Sequence, residues 1–187
     1  MNIGFAMCGS FCTFQQVFPV IEELAVQYRL IPILSFNTCT IDSRFGTAQS
    51  HIQRLAELCG TPPLSTIAEV EPIGPKKLLD ALIIAPCTGN TLGKLAHGIA
   101  DTPVTMAAKS HLRNSRPVLI AVSTNDALAG AAENIGKLMG RKHYYFVPFG
   151  QDDPQGKPTS MVADFKKIPP ALLAALEGRQ LQPILLR

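Results

Sequence analysis

A chain of 187 residues with 47% apolar and 17% charged side chains can bury one core without metals or disulfides, and is short for several domains. Its net charge of +3, with no Lys or Arg run interleaved with aromatics, argues against a nucleic-acid partner and favours a small acidic ligand. No apolar stretch approaches the roughly 18 residues of a membrane span, and Met1 leads straight into NIGFAM without a basic leader, so a cytosolic protein is expected.

Five apolar runs have strand length: residues 2–7, 29–36, 81–86, 117–123 and 143–149. They are continuous rather than alternating, which suits a parallel sheet covered on both faces. Between them, 14–28, 46–59, 89–98, 102–113 and 126–140 read as helices. The Pro- and Gly-rich stretch 60–75 is expected to hold one short strand around STIAEVE and a turn. From about residue 150 the chain reads as loop, and 168–180 as a last helix, with Pro169 and Pro170 at its start and Gly178 near its end. The alternation predicts a single α/β domain over 1–187, a three-layer α/β/α sandwich with a mostly parallel, Rossmann-like sheet. The low charge content leaves surface for other copies of the chain.

The five cysteines are odd in number and scattered, with no CxxC and no histidine at zinc spacing, so reduced thiols and no metal site are expected. Cys8, Cys12, Cys39 and Cys59 read as small buried apolar residues. Cys87 stands apart because it lies in IIAPCTGNTLGK, where a strand gives way to small polar residues and then a helix.

Ligands of open parallel sheets bind beyond the carboxyl ends of the strands, so the residues that follow each strand carry the information. After the first strand, Gly9 permits a tight turn, and Ser10 and Thr13 are candidate caps of the next helix. Ser35, Asn37 and Thr38 follow the second strand. In the third, Pro86 is expected to stop the ladder, Thr88 and Asn90 to supply side-chain hydrogen bonds, and Gly89 to allow close backbone approach at a helix start. Ser123, Asn125 and Asp126 close the fourth strand. Each loop alone is also an ordinary turn or cap; four in register point to a shared small-molecule site. The spacing is not GxGxxG, and neither a P-loop nor GxSxG is present. Lys109, Arg113 and Arg116 cluster at a helix end, where cations complement the dipole or hold a carboxylate, and Arg44 allows the same two readings. The four histidines, at 51, 97, 111 and 143, read as packed or surface residues.

The segment APCTGNTLGKLAHGIADTPVTMAAK (85–109) resembles a flavoprotein family that includes the homo-oligomeric flavin-containing cysteine decarboxylases, phosphopantothenoylcysteine decarboxylase and the flavin prenyltransferases. The resemblance implies FMN bound between the protomers of a homo-oligomer, commonly one built on trimers. By matching position Gly9, Ser10, Ser35, Thr88, Asn90 and Thr91 would contact the flavin, beside Asn37, Gly89 and Ser123 from the strand-end pattern. Residues 69–139 and YYFVPFGQDDPQGKPTSMVADF (144–165) are similar to one branch of that family, from spore-forming bacteria. That likeness implies a protein acting in the mother-cell cytoplasm, which helps oxidise a dihydrodipicolinate-type precursor to pyridine-2,6-dicarboxylate alongside an NAD(P)-binding partner. The substrate's two carboxylates would give Lys109, Arg113 and Arg116 something to hold. The decarboxylating members carry Pro-x-Met-Asn-x-x-Met where this chain has AVSTNDALAG, which argues against decarboxylation. Cys87, Asn125 and Asp126 are the candidate catalytic contacts, with a cysteine thiolate or Asp126 as proton acceptor. The alternative is a non-catalytic protein that stabilises the partner through a degenerate flavin or phosphate site; a decarboxylase acting on a peptide or pantothenate derivative ranks last.

Overall fold

In a computed structural model that describes residues 1–186, the apolar runs form strands β1 (Asn2–Met7), β2 (Arg29–Leu34), β3 (Ala81–Cys87), β4 (Val118–Thr124) and β5 (Tyr144–Phe146). These five pair in parallel in the order β2-β1-β3-β4-β5. Every residue of β3, and all of β4 but Thr124, is buried, which explains why neither run alternates. Helices α1 (Phe14–Gln27) and α8 (Ile168–Leu176) pack on one face with α3 (Ala48–Cys59) beside α1. Helices α5 (Gly89–His97), α6 (Pro103–Leu112) and α7 (Ala132–Met139) cover the other, completing three layers.

Helix starts follow local capping. Thr47 accepts from the Ser50 amide at 3.1 Å to begin α3, and Thr102 and Thr105 cap α6 reciprocally around Pro103. The strand expected around STIAEVE is instead the short helix α4 (Ile67–Val70), followed by a 3-10 turn, Glu71–Ile73. Thr66 and Glu69 form a capping box there, a local signal that outweighs the β-branched residues. A further short helix, α2 (Phe36–Thr40), was not expected; Ser35 caps it, accepting from Thr38 N at 3.3 Å.

Three boundaries differ from the expected ones for tertiary reasons. Pro86 does not end β3: the pairing with β4 shifts register between Ile84 and Cys87, and the Pro86 carbonyl accepts from Cys8 N at 3.2 Å. The helix expected from 126 starts at Ala132, because the Leu128 amide donates to Thr159 O (3.0 Å) and the Ala129 and Ala131 amides both donate to Asp126 O. The run 143–149 breaks at Pro148, so Phe149–Gly150 forms a separate strand, β6. β6 pairs antiparallel with β7 (Met161–Ala163), which itself pairs antiparallel with the end of β4. The loop-rich tail thereby returns over the carboxyl ends of the central strands.

Candidate functional site

β2 and β3 flank β1 on opposite sides, so the crossing direction reverses there and a crevice opens beyond the strand ends. The turn after β1 and the last residues of β4 meet across the end of β3: Ser10 Oγ and Ser123 Oγ lie 2.7 Å apart. The expected capping role of Ser10 is not observed; its carbonyl accepts from Thr13 Oγ1 at 2.8 Å, and its hydroxyl is committed to Ser123. Thr13 likewise makes no side-chain cap.

Thr88 caps α5, accepting from Thr91 N at 3.4 Å and meeting Thr91 Oγ1 at 3.2 Å. The amides of Gly89 and Asn90, in the first turn, have no partner among the described residues and face the end of the helix where an anion is favoured. Gly89 is required by close approach: a Cβ there would lie 2.7 Å from both Thr124 Oγ1 and Asp126 Oδ1. Asn90 is exposed, and its side chain makes no hydrogen bond among the described residues, unlike the role expected of it.

The result is a cleft of about 860 Å³. Gly9, Ser10, Thr88, Ser123 and Asn125 line it. Ser35, Asn37, Gly89, Asn90 and Thr91 do not line it, although Asn37 sits against the Gly9 turn, where a Cβ on Gly9 would come 3.4 Å from it. The returning tail adds Asp152, Lys157 and Ser160, and the segment after α2 adds Arg44 and Phe45. Lys157 lies 3.4 Å from Asp152. Burial opposes ionisation of Asp152, but hydrogen bonding from Ser160 and Lys157 outweighs it and holds the carboxyl below its usual range. Asn125 is tied to the tail through its carbonyl, which accepts from Thr159 Oγ1 at 2.6 Å.

Cys8 is buried as expected, whereas Cys87 and Cys12 fall differently from their sequence reading. Cys87 is fully buried, and desolvation, reinforced by neighbouring Cys8, raises its pKa well above the usual thiol value, so it presents no thiolate to the cleft. Desolvation likewise pushes Cys8 up to about 11 despite the hydrogen bond from Thr91 Oγ1 to its sulfur at 3.3 Å. Cys12, expected to be buried, is exposed and lines the cleft, 3.9 Å from Ser10 Oγ. Asp126 does not line the cleft; it accepts a short hydrogen bond from Thr124 Oγ1, which does. No histidine lines the cleft; His51 packs among Phe11, Phe14 and Phe18 instead.

The three cations expected to hold a substrate carboxylate are not brought to this cleft. Arg116 donates to the Lys77 and Leu79 carbonyls and lies 3.4 Å from Asp80, bracing the entry to β3. Lys109 and Arg113 line a different cavity. The cleft's own cations, Lys157 and Arg44, come from segments outside the parallel strands. Lys157, Asp152 and Ser160 had no local signal, because only the β7 pairing brings them here.

Sheet order, switch-point cleft and buried strands define a Rossmann-like flavoprotein fold, and the chain belongs to the flavoprotein family, whose model matches residues 1–149. The B subunit of dipicolinate synthase from Bacillus subtilis (strain 168) is 45% identical over 185 residues, covering 98% of this chain and 92% of that protein, and places the chain in that branch of the family. The crystal structure of the same dipicolinate synthase component from Bacillus halodurans C superposes with a TM-score of 0.91 at 41% identity, covering 100% of this chain and 96% of that one. The FMN-dependent cysteine decarboxylase SpaF shares the fold, with a TM-score of 0.66 and 20% identity over 94% of this chain and 97% of its own.

Proposed function

We propose that the chain is the B subunit of a dipicolinate synthase, in which the strand-end cleft holds FMN and helps oxidise a dihydrodipicolinate-type precursor to pyridine-2,6-dicarboxylate. One observation carries the reading: Ser10, Thr88 and Ser123, each with a hydroxyl, and the cations Arg44 and Lys157 line one cleft. Such a set fits a phosphate, and the rings of Phe11 and Phe45 in the same wall fit a planar ring system. The FMN-dependent relative of the same fold supports that choice.

Aromatising a dihydropyridine removes one hydride and one proton. A bound FMN supplies the two-electron acceptor for the hydride. Asp152, ionised and within the cleft wall, takes the proton, while Asn125, held by Thr159, orients the substrate. Arg44 and Lys157 meet the substrate's carboxylates or the flavin phosphate. The NAD(P)-dependent A subunit is the partner. Further copies of this chain, in a trimer-based assembly, close the cleft in the cytoplasm of the spore's mother cell.

A second reading, a stabilising protein that leaves the chemistry to its partner, draws on the lack of any histidine in the cleft. An absorption spectrum of the purified protein, before and after adding FMN and removing the excess, separates the two. Retained flavin that is lost in Thr88→Val, together with product formation that needs both flavin and the NAD(P)-dependent partner, supports a redox role. Full activity of the pair without flavin, unchanged in Thr88→Val, overturns it in favour of the stabilising role.

A further inference from the structure

A second cavity, of about 490 Å³, opens at the opposite end of the sheet from the strand-end cleft. It lies where Val118 and Tyr144 pair at the beginnings of β4 and β5, so the length of β4, roughly 20 Å, separates the two. Three elements build it. Helix α6 turns Thr105, Lys109, Leu112 and Arg113 toward it, the spacing of one helical face. The end of α5 contributes Leu95 and, past the left-handed Gly98 (φ 71°), the half-exposed Ile99. The turn before β5 supplies Arg141, Lys142, His143 and the Tyr144 ring.

Among the described residues, the charge of this cavity is uncompensated. Arg141 is pinned by donating to the Leu95 and Ala96 carbonyls at 3.2 and 2.7 Å. Lys109, Arg113 and Lys142 make no ion pair and no side-chain hydrogen bond among the described residues. No Asp or Glu lines the cavity, and neighbouring Asp101 is taken by Lys94 at 2.7 and 2.9 Å. His143 holds φ 69°, a left-handed conformation that a non-glycine residue seldom adopts, to place this turn. Four exposed cations ring an apolar wall of Leu95, Ile99, Leu112 and Tyr144, a lining that suits an anion with a flat, apolar body.

We propose that this cavity is a second ligand site, for a small aromatic dicarboxylate, with Lys109 and Arg113 holding one carboxylate and Lys142 the other. The ligand class deepens the functional reading above and rests on it in one respect: the product of that reaction belongs to this class, so the site would sense it.

Calorimetric titration with benzene-1,3-dicarboxylate, which cannot be a substrate, and with pyridine-2,6-dicarboxylate tests the site independently of flavin or turnover. Expected is one saturable binding event per chain that weakens at least about tenfold in Lys109→Gln/Arg113→Gln, is lost in Ile99→Trp and persists in Arg44→Gln, distinct from any weaker event at the cleft, which Arg44→Gln removes. Melting curves confirm that these surface variants remain folded. Absence of saturable binding, insensitivity to Lys109→Gln/Arg113→Gln, or equal affinity for inorganic phosphate overturns the proposal. Loss of binding in Arg44→Gln overturns it too, by assigning the ligand to the cleft. Failure of the catalytic reading would appear instead as missing flavin or missing turnover, which this titration does not register.

Discussion

The hydroxyls of Ser10 and Ser123 lie 2.7 Å apart although 113 residues separate them in the chain. They join the turn after β1 to the end of β4 over the end of the intervening β3, and so fix the width of the cleft. Replacing either by Ala removes the bond and leaves the partner hydroxyl, buried at Ser123 and half-buried at Ser10, without it. Each single variant is expected to lose about 1 kcal/mol, and the double variant less than the sum. Urea unfolding of the cycle measures the coupling; strict additivity would show that the two hydroxyls do not hold the turns together. FMN retention should fall about tenfold in either single variant.

Cys12 is the exposed thiol in the cleft, whereas Cys8 and Cys87 are buried with raised pKa values. In native protein a thiol reagent should modify one group per chain rapidly, and Cys12→Ser should abolish that fast phase. Cys39, half-buried, and Cys59, raised to about 12 by desolvation, should follow slowly. Added FMN should slow the Cys12 reaction; a rate indifferent to FMN would place the flavin elsewhere.

Gly74 and Gly136 predict substitutions of opposite sign. A Cβ on Gly74 would lie 2.5 Å from the Ser110 carbonyl oxygen in α6, backbone that cannot step aside, so Gly74→Ala should cost about 1–3 kcal/mol. A Cβ on Gly136 would meet nothing within 4 Å inside α7, so Gly136→Ala should stabilise by up to about 1 kcal/mol. Thermal melts compare them, and a shared sign would contradict the packing described here.

His111 is buried in α6, with Nε2 3.1 Å from the Pro117 carbonyl and Nδ1 without a partner among the described residues. Desolvation lowers its pKa to about 4, from an ordinary 6.5. The unfolded chain therefore takes up a proton that the folded chain refuses, and stability falls as pH drops from 6.5 toward 4, by about 1.4 kcal/mol per unit at full effect. His51, lowered in the same direction by burial, adds to the slope. His111→Gln keeps a donor for Pro117 but does not titrate, so its unfolding free energy should depend less on pH between 6.5 and 4.5. An unchanged slope would assign the effect to other groups.

Much of the cleft could be read before folding. Thr88 and Gly89 were identifiable because a cap and a helix start are local events, set by residues within one turn. Capping also misled: Ser10 has the right chemistry to cap a helix, yet its hydroxyl is claimed by a residue 113 positions away. Thr66 and Glu69 carry a capping box, a local helix signal that their β-branched neighbours mask.

Hydrophobic periodicity alone determined the five parallel strands and the layered architecture, because burial on both faces leaves no polar position in β3. Only the tertiary structure decided which charges serve which cavity. Lys157 and Asp152 reach the cleft through two short antiparallel pairings near the end of β4, whereas Lys109 and Arg113 are carried by α6 to the far end of the sheet. A charged side chain on a surface loop or helix leaves no periodic trace of its destination; that destination is set by pairing and packing between distant segments.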